Sequence, residues 1–193
     1  AFDKVGRVLG LPYPGGPAIS RLAQKGDPKK YPLPSPMLAR KDYDFSFSGL
    51  KTAVLYFLKD NSPNPSYLKR ETPSLKIREG GGELFYKADI AASVEQAIVE
   101  VQVKKTLRAA KQYKVKTILL GGGVAANEKL RQTLKRKIQN DLNSQFLIPN
   151  SDLRTDNAGM IALAAFFHYL RGHTTTYNKV TADPNLELKS WLP

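Results

Sequence analysis

The chain has 193 residues, 41% of them hydrophobic, and carries 30 Lys and Arg against 17 Asp and Glu for a net charge of +13. That length and apolar content suffice for one sizeable core and exclude a wholly disordered protein, while the basic excess favours a polyanionic partner, nucleic acid first, over a surface kept only for solubility. The lack of cysteine excludes a disulfide framework, no apolar run approaches the roughly 18 residues of a membrane span, and no signal-peptide pattern opens the chain, so a soluble, cytoplasmic protein is expected.

The sequence opens at Ala1-Phe2-Asp3-Lys4, without an initiator methionine and already inside a helical pattern with Phe2, Val5, Val8 and Leu9 on one face, as in a chain cut from something longer. Pro12, Pro14, Gly15, Gly16 and Pro17 predict a stiff loop, and a short helix is expected over about 18–24. Prolines at 28, 32, 34 and 36 then make an extended segment that cannot be a central strand. Tyr43, Phe45 and Phe47 alternate with Asp44 and Ser46, which predicts a half-buried strand, and Ser48 caps a helix carrying Leu50, Ala53, Val54 and Phe57. Residues 61–87 change character, with three prolines and the glycines at 80, 81 and 82 among scattered charges. A long flexible insertion is expected there, its Lys69, Arg70, Lys76 and Arg78 solvated rather than placed on RNA.

A long helix follows over about 89–112, with Ile90, Val94, Ala97, Ile98 and Val101 on its buried face. Next comes Thr117-Ile-Leu-Leu-Gly-Gly-Gly-Val-Ala-Ala-Asn127, an apolar run, three glycines and a helix start. Glycines let a main chain approach a bulky anion, and the first N–H groups of a helix supply donors and a positive dipole end, so Gly121, Gly122 and Gly123 read as a phosphate loop. Neither G-x-x-x-x-G-K-[ST] nor G-x-G-x-x-G is present, and a turn that merely packs helix on strand competes with the phosphate loop. The next helix, about 127–141, sets Leu130, Leu134 and Ile138 inward. Several of Lys129, Arg131, Lys135, Arg136 and Lys137 then point outward together, with Lys129 and Arg136 nearly opposite the apolar stripe. Residues 145–148 form a plausible second parallel strand, and a last helix over about 155–170 is apolar nearly all round and should be buried.

Five stretches in this order resemble one family: Phe2-Asp3-Lys4; Leu11 to Pro17; Asp44-Phe-Ser-Phe-Ser-Gly-Leu-Lys-Thr52; Gly122-Gly-Val-Ala-Ala-Asn127; and Thr155-Asp156-Asn157-Ala-Gly-Met160-Ile-Ala162. They are similar to the TsaD family, formerly Gcp or glycoprotease, whose members transfer a threonylcarbamoyl group to N6 of a tRNA adenosine. The resemblance implies an α/β fold of the actin-like ATPase superfamily, shared with sugar kinases and heat-shock chaperones. It places these 193 residues in a partial C-terminal domain, the N-terminal domain being absent.

What the resemblance implies for single residues is specific. Asp3, Gly16 and Asn127 match the positions with which the family binds threonylcarbamoyl-adenylate. The chemistry suits them: a carboxylate accepts from ribose hydroxyls, a glycine permits close approach, and an amide both donates and accepts. Read without the family, the same three are a surface helix residue, a turn and an N-cap. Asp156 matches the carboxylate ligand of an iron-type divalent metal, Fe2+, completed in the family by two histidines of the preceding domain. His168 and His173, the two histidines present, form no H-x-x-x-H pair and are expected to be packed or surface residues, and a plain role for Asp156 is to complement a helix N-terminus.

The expected activity is therefore transfer of threonylcarbamoyl from its adenylate to tRNA, with partner proteins of the TsaB and TsaE type and tRNA phosphates meeting the basic helix. No H-E-x-x-H supports a metallopeptidase. A sugar-kinase-type enzyme, and a basic tRNA-binding module without catalysis, remain open alternatives at this stage.

Overall fold

The computed structural model describes residues 1–60 and 82–185. They fall into two units, Ala1–Thr155 and Asp156–Pro193. The first holds α1 (Phe2–Val8), α2 (Gly15–Ala23), α3 (Ser48–Asp60), α4 (Gly82–Tyr113), β1 (Thr117–Leu119), α5 (Glu128–Asp141) and β2 (Gln145–Leu147); the second holds α6 (Ala158–Leu170). The class is α/β. β1 and β2 run parallel, with Thr117, Ile118 and Leu119 opposite Gln145, Phe146 and Leu147, and α5 is the crossover between them.

The first unit is built along α4. One stretch of that helix, through Ile90, Val94 and Ile98, packs on Val5 and Leu9 of α1, Ile19 of α2 and Leu50 and Val54 of α3. Farther on, Val99, Val103 and Ala110 pack on Ile118 of β1 and on Leu130, Leu134 and Ile138 of α5. A helix apolar on more than one face is thus used on both, and each fully buried Leu or Ile contributes about 1.5–3 kcal/mol.

Four elements depart from expectation. α2 begins at Gly15, not near residue 18; Pro17 falls in its first turn, where a missing N–H breaks no intrahelical bond, so the prolines do not hold the helix off. The alternating segment 43–47 joins no strand. Side chains of α4 bond to its main chain and to that just before it instead: Lys105 donates to the Asp44 carbonyl, and Arg108 to those of Arg40 and Asp42. α4 itself starts at Gly82, about two turns early, because 83–87 contain neither glycine nor proline. Tyr86 there packs edge-on against Tyr31 at 5.4 Å. The rest of the expected insertion, with Lys69, Arg70, Lys76 and Arg78, lies outside the described residues.

α6 is the fourth. Asn157 Oδ1 caps it by accepting from the Met160 N–H at 3.0 Å, yet it is exposed along nearly all its length, Ile161 at 66% and Leu163 at 58%. Among its unit's described residues there is only one further short turn, Tyr177–Lys179, and so no second layer against which an all-apolar helix can bury itself.

Candidate functional site

The start of α2 sits against the start of α1. Asp3 Oδ1 accepts the Gly15 N–H at 2.7 Å, so a carboxylate both satisfies an end donor of α2 and complements its dipole. Gly15 has to be glycine: a Cβ there would lie 2.7 Å from Asp3 Cα and 2.9 Å from the Phe2 carbonyl oxygen. Gly16 is different, since a Cβ would meet nothing closer than Phe2 Cβ at 3.9 Å. Packing does not require the missing side chain at 16, and close approach by a ligand would.

Ser20 lies one turn beyond Gly16 on the same face of α2. It accepts from Asn127 Nδ2 at 2.9 Å and donates to Glu95 Oε1 of α4 at 2.7 Å. Asn127 Nδ2 also reaches Glu95 Oε1 at 2.7 Å, while Asn127 Oδ1 caps α5 by accepting from the Leu130 N–H at 2.8 Å. The residues expected to bind adenylate, Asp3, Gly16 and Asn127, are therefore brought around one short helix. Ser20 and the buried Glu95 were not anticipated. The available signal was a polar residue at a position where the helical period calls for an apolar one.

Across Gly121, Gly122 and Gly123 an added Cβ would meet no atom within 4 Å, and Gly122 at φ +80° needs to be glycine. The main chain of this loop is bare. The expected helix does not start from it directly: a 3-10 turn, Gly123–Ala126, intervenes, held by Arg131 Nη1 on the carbonyls of Ala125 at 2.8 Å and Ala126 at 2.6 Å. The Asn127 side chain then takes the N–H that opens α5, so a phosphate here would be met by loop amides rather than by that N–H.

The basic helix is only partly a solvated face. Lys135, Arg136 and Lys137 are exposed, with Lys137 Nζ 4.0 Å from Asp141 Oδ2. Arg131 is spent on the 3-10 turn. Lys129, expected to point away from the core, is half-buried with Nζ 4.0 Å from Glu95 Oε2. Burial pushes its pKa down, opposed by the Glu95 charge. α5 begins beside the buried polar cluster, which claims Lys129, while the 3-10 turn before the helix claims Arg131.

Residues 1–163 match the family described as TsaD, tRNA N6-adenosine threonylcarbamoyltransferase. The chain belongs to the TsaD family. Relatives bearing that same description include those of Thermosipho africanus, 45% identical over 97% of this chain and 51% of the relative, and Moorella thermoacetica, 46% identical over 89% and 45%. The Bacillus subtilis relative is 41% identical over 99% of the chain and 50% of its own length. This TsaD chain thus spans about half the length of the relatives it matches.

The metal implied for a TsaD chain needs ligands that converge. Asp156 is exposed, next to the Asn157 cap of α6. Among the described residues no three His, Cys, Asp or Glu side chains come together as a metal would require. His168 and His173 face one another, Nδ1 to Nδ1 3.3 Å. These residues alone do not fit a metal. Among the described residues no helix is long and apolar enough to cross a membrane.

Proposed function

We propose that this chain is the adenylate-holding C-terminal part of a two-domain, actin-like tRNA N6-adenosine threonylcarbamoyltransferase, working in the cytoplasm. The observation that carries the proposal is the gathering of Asp3, Gly16 and Asn127 around α2, within residues that match the family. In this account Asp3 accepts from the ribose hydroxyls, Gly16 lets the nucleotide lie against the α2 backbone, and Asn127 offers its amide. The bare Gly121–Gly123 main chain meets the phosphate. Held so, the mixed anhydride presents its carbamoyl carbon to the tRNA adenosine. The N6 lone pair forms the new N–C bond, the C–O bond to phosphate breaks, AMP departs with that electron pair, and N6 loses a proton. Positioning and N–H donors at the departing phosphate are what this chain supplies.

Lys135, Arg136 and Lys137 serve tRNA phosphates, which fixes position without reading sequence. The iron-type metal implied by the family would take Asp156 as its one ligand from these residues and would need histidines from outside them, as a Lewis acid at the substrate. Partner proteins of the TsaB and TsaE type complete the proposed assembly.

The test uses threonylcarbamoyl-adenylate labelled in its threonine and unmodified tRNA. The whole protein containing this chain is expected to label tRNA, and the chain by itself is not. Absence of label with the whole protein and its partners contradicts the proposed transfer; label from the isolated chain contradicts the division of the site between two parts.

A further inference from the structure

Three elements meet at the carboxylate of Glu95. Oε1 accepts from Ser20 Oγ of α2 and from Asn127 Nδ2, both at 2.7 Å, and Oε2 lies 4.0 Å from Lys129 Nζ of α5. Glu95 itself, on α4, is only 5% exposed and Asn127 9%. This arrangement decides which way the Asn127 amide faces. Its NH2 end meets a carboxylate, which accepts only, and its oxygen meets the Leu130 N–H, which donates only. Turned over, the amide would set oxygen against oxygen at Glu95 and N–H against N–H at Leu130, two unmade bonds in a buried place. Ser20 Oγ and Glu95 Oε1 lie 2.9 and 2.7 Å from Nδ2 and 2.7 Å from each other, so the NH2 end of the amide is engaged by this triangle. Oδ1 accepts one donor, the Leu130 N–H, and its second lone pair remains for a ligand.

We propose that Glu95, with Ser20, is the positioning residue of the adenylate site: it holds the NH2 end of the Asn127 amide and so fixes the amide with the second lone pair of its oxygen offered to the nucleotide. The same carboxylate ties α2, which carries Gly16 one turn before Ser20, to the first residue after the bare glycine loop and its turn. The proposal rests on Asn127 being an adenylate ligand, and its test separates the two.

The whole protein is titrated with AMP by calorimetry, and exchange of the Asn127 side-chain amide hydrogens is followed by NMR. Glu95→Leu, similar in size but without an acceptor, is expected to weaken AMP binding by roughly tenfold and to add nothing to the loss caused by Asn127→Ala. Glu95→Gln, which keeps a side-chain oxygen, recovers most of the affinity. Wild-type affinity in a folded Glu95→Leu, or a loss that adds in full to that of Asn127→Ala, overturns the positioning role. Where Glu95→Leu does not fold, Ser20→Ala removes another side of the triangle, and its loss must again be non-additive with Asn127→Ala. Unchanged AMP binding by Asn127→Ala defeats the adenylate assignment instead. Exchange then decides for Glu95: protection of the Asn127 side-chain amide in the wild type and Glu95→Gln that is lost in Glu95→Leu supports positioning, and unchanged protection refutes it.

Discussion

Asp89, at the head of α4's buried stretch, holds the loop that follows α2. Its Oδ1 accepts the Asp27 N–H at 2.8 Å and its Oδ2 lies 2.6 Å from Lys30 Nζ. The hydrogen bond from Lys30 first, and the Asp27 N–H after it, hold the carboxyl below the ordinary aspartate range against the opposing effect of burial. A folded-state pKa that is depressed contributes stability present above the unfolded value, about 3.9, and lost as pH falls through the folded one. Asp89→Asn should therefore lower the melting temperature at pH 7, and the difference from wild type should shrink as pH is taken below about 4. A difference independent of pH in thermal scans would mean that the charge of Asp89 contributes nothing. At this scale the sequence was partly legible. Asn127 was identified both as an N-cap and, through the family, as a ligand, and the structure displays the cap. The partners that aim it, Ser20 and Glu95, lie 107 and 32 residues away, and no local pattern pairs residues at such separations.

Among the elements, α2 is the one whose placement sets the site, and glycines let it approach its neighbours. Beyond its end, Gly26 runs against the α4 backbone: a Cβ there would fall on the Ala88 carbonyl and 2.6 Å from the Asp89 nitrogen. Because main chain on main chain has no rotamer with which to yield, Gly26→Ala should cost about 3 kcal/mol in urea denaturation. A cost below about 0.5 kcal/mol, the level of an ordinary surface change, would contradict that packing. The elements legible in sequence were those with a strong period: α1, α5 with its Leu130, Leu134 and Ile138 stripe, and the parallel pairing of β1 with β2. The alternation at 43–47 misled because a period of two describes which faces side chains take, not what the main chain bonds to. Here the fully buried Lys105 of α4 supplies a donor that a neighbouring strand would have provided, and the half-buried Arg108 does so for the carbonyls just before the segment.

Over the whole molecule, a charge of +13 needs a counterpart, and the exposed Lys135 and Arg136 are better placed to meet it than Lys129, which faces Glu95. Reversing both to glutamate should weaken tRNA binding by the whole protein and flatten the salt dependence by roughly 0.9 in slope for each phosphate no longer neutralised. Wild-type affinity and slope in that double variant would assign these charges to solubility alone. α6 shows why burial was not legible at this scale. Its composition demands a cover, but composition does not say which residues provide one, and its own unit contains none among those described.

The central claim, that α2 and the start of α5 hold an adenylate, is tested most directly by calorimetric titration of the whole protein with a non-hydrolysable analogue of threonylcarbamoyl-adenylate. Asp3→Ala and Asn127→Ala are each predicted to lose on the order of 1–3 kcal/mol of binding free energy, because each removes a polar partner of the nucleotide. Unchanged affinity in both variants, with folding intact, would contradict it.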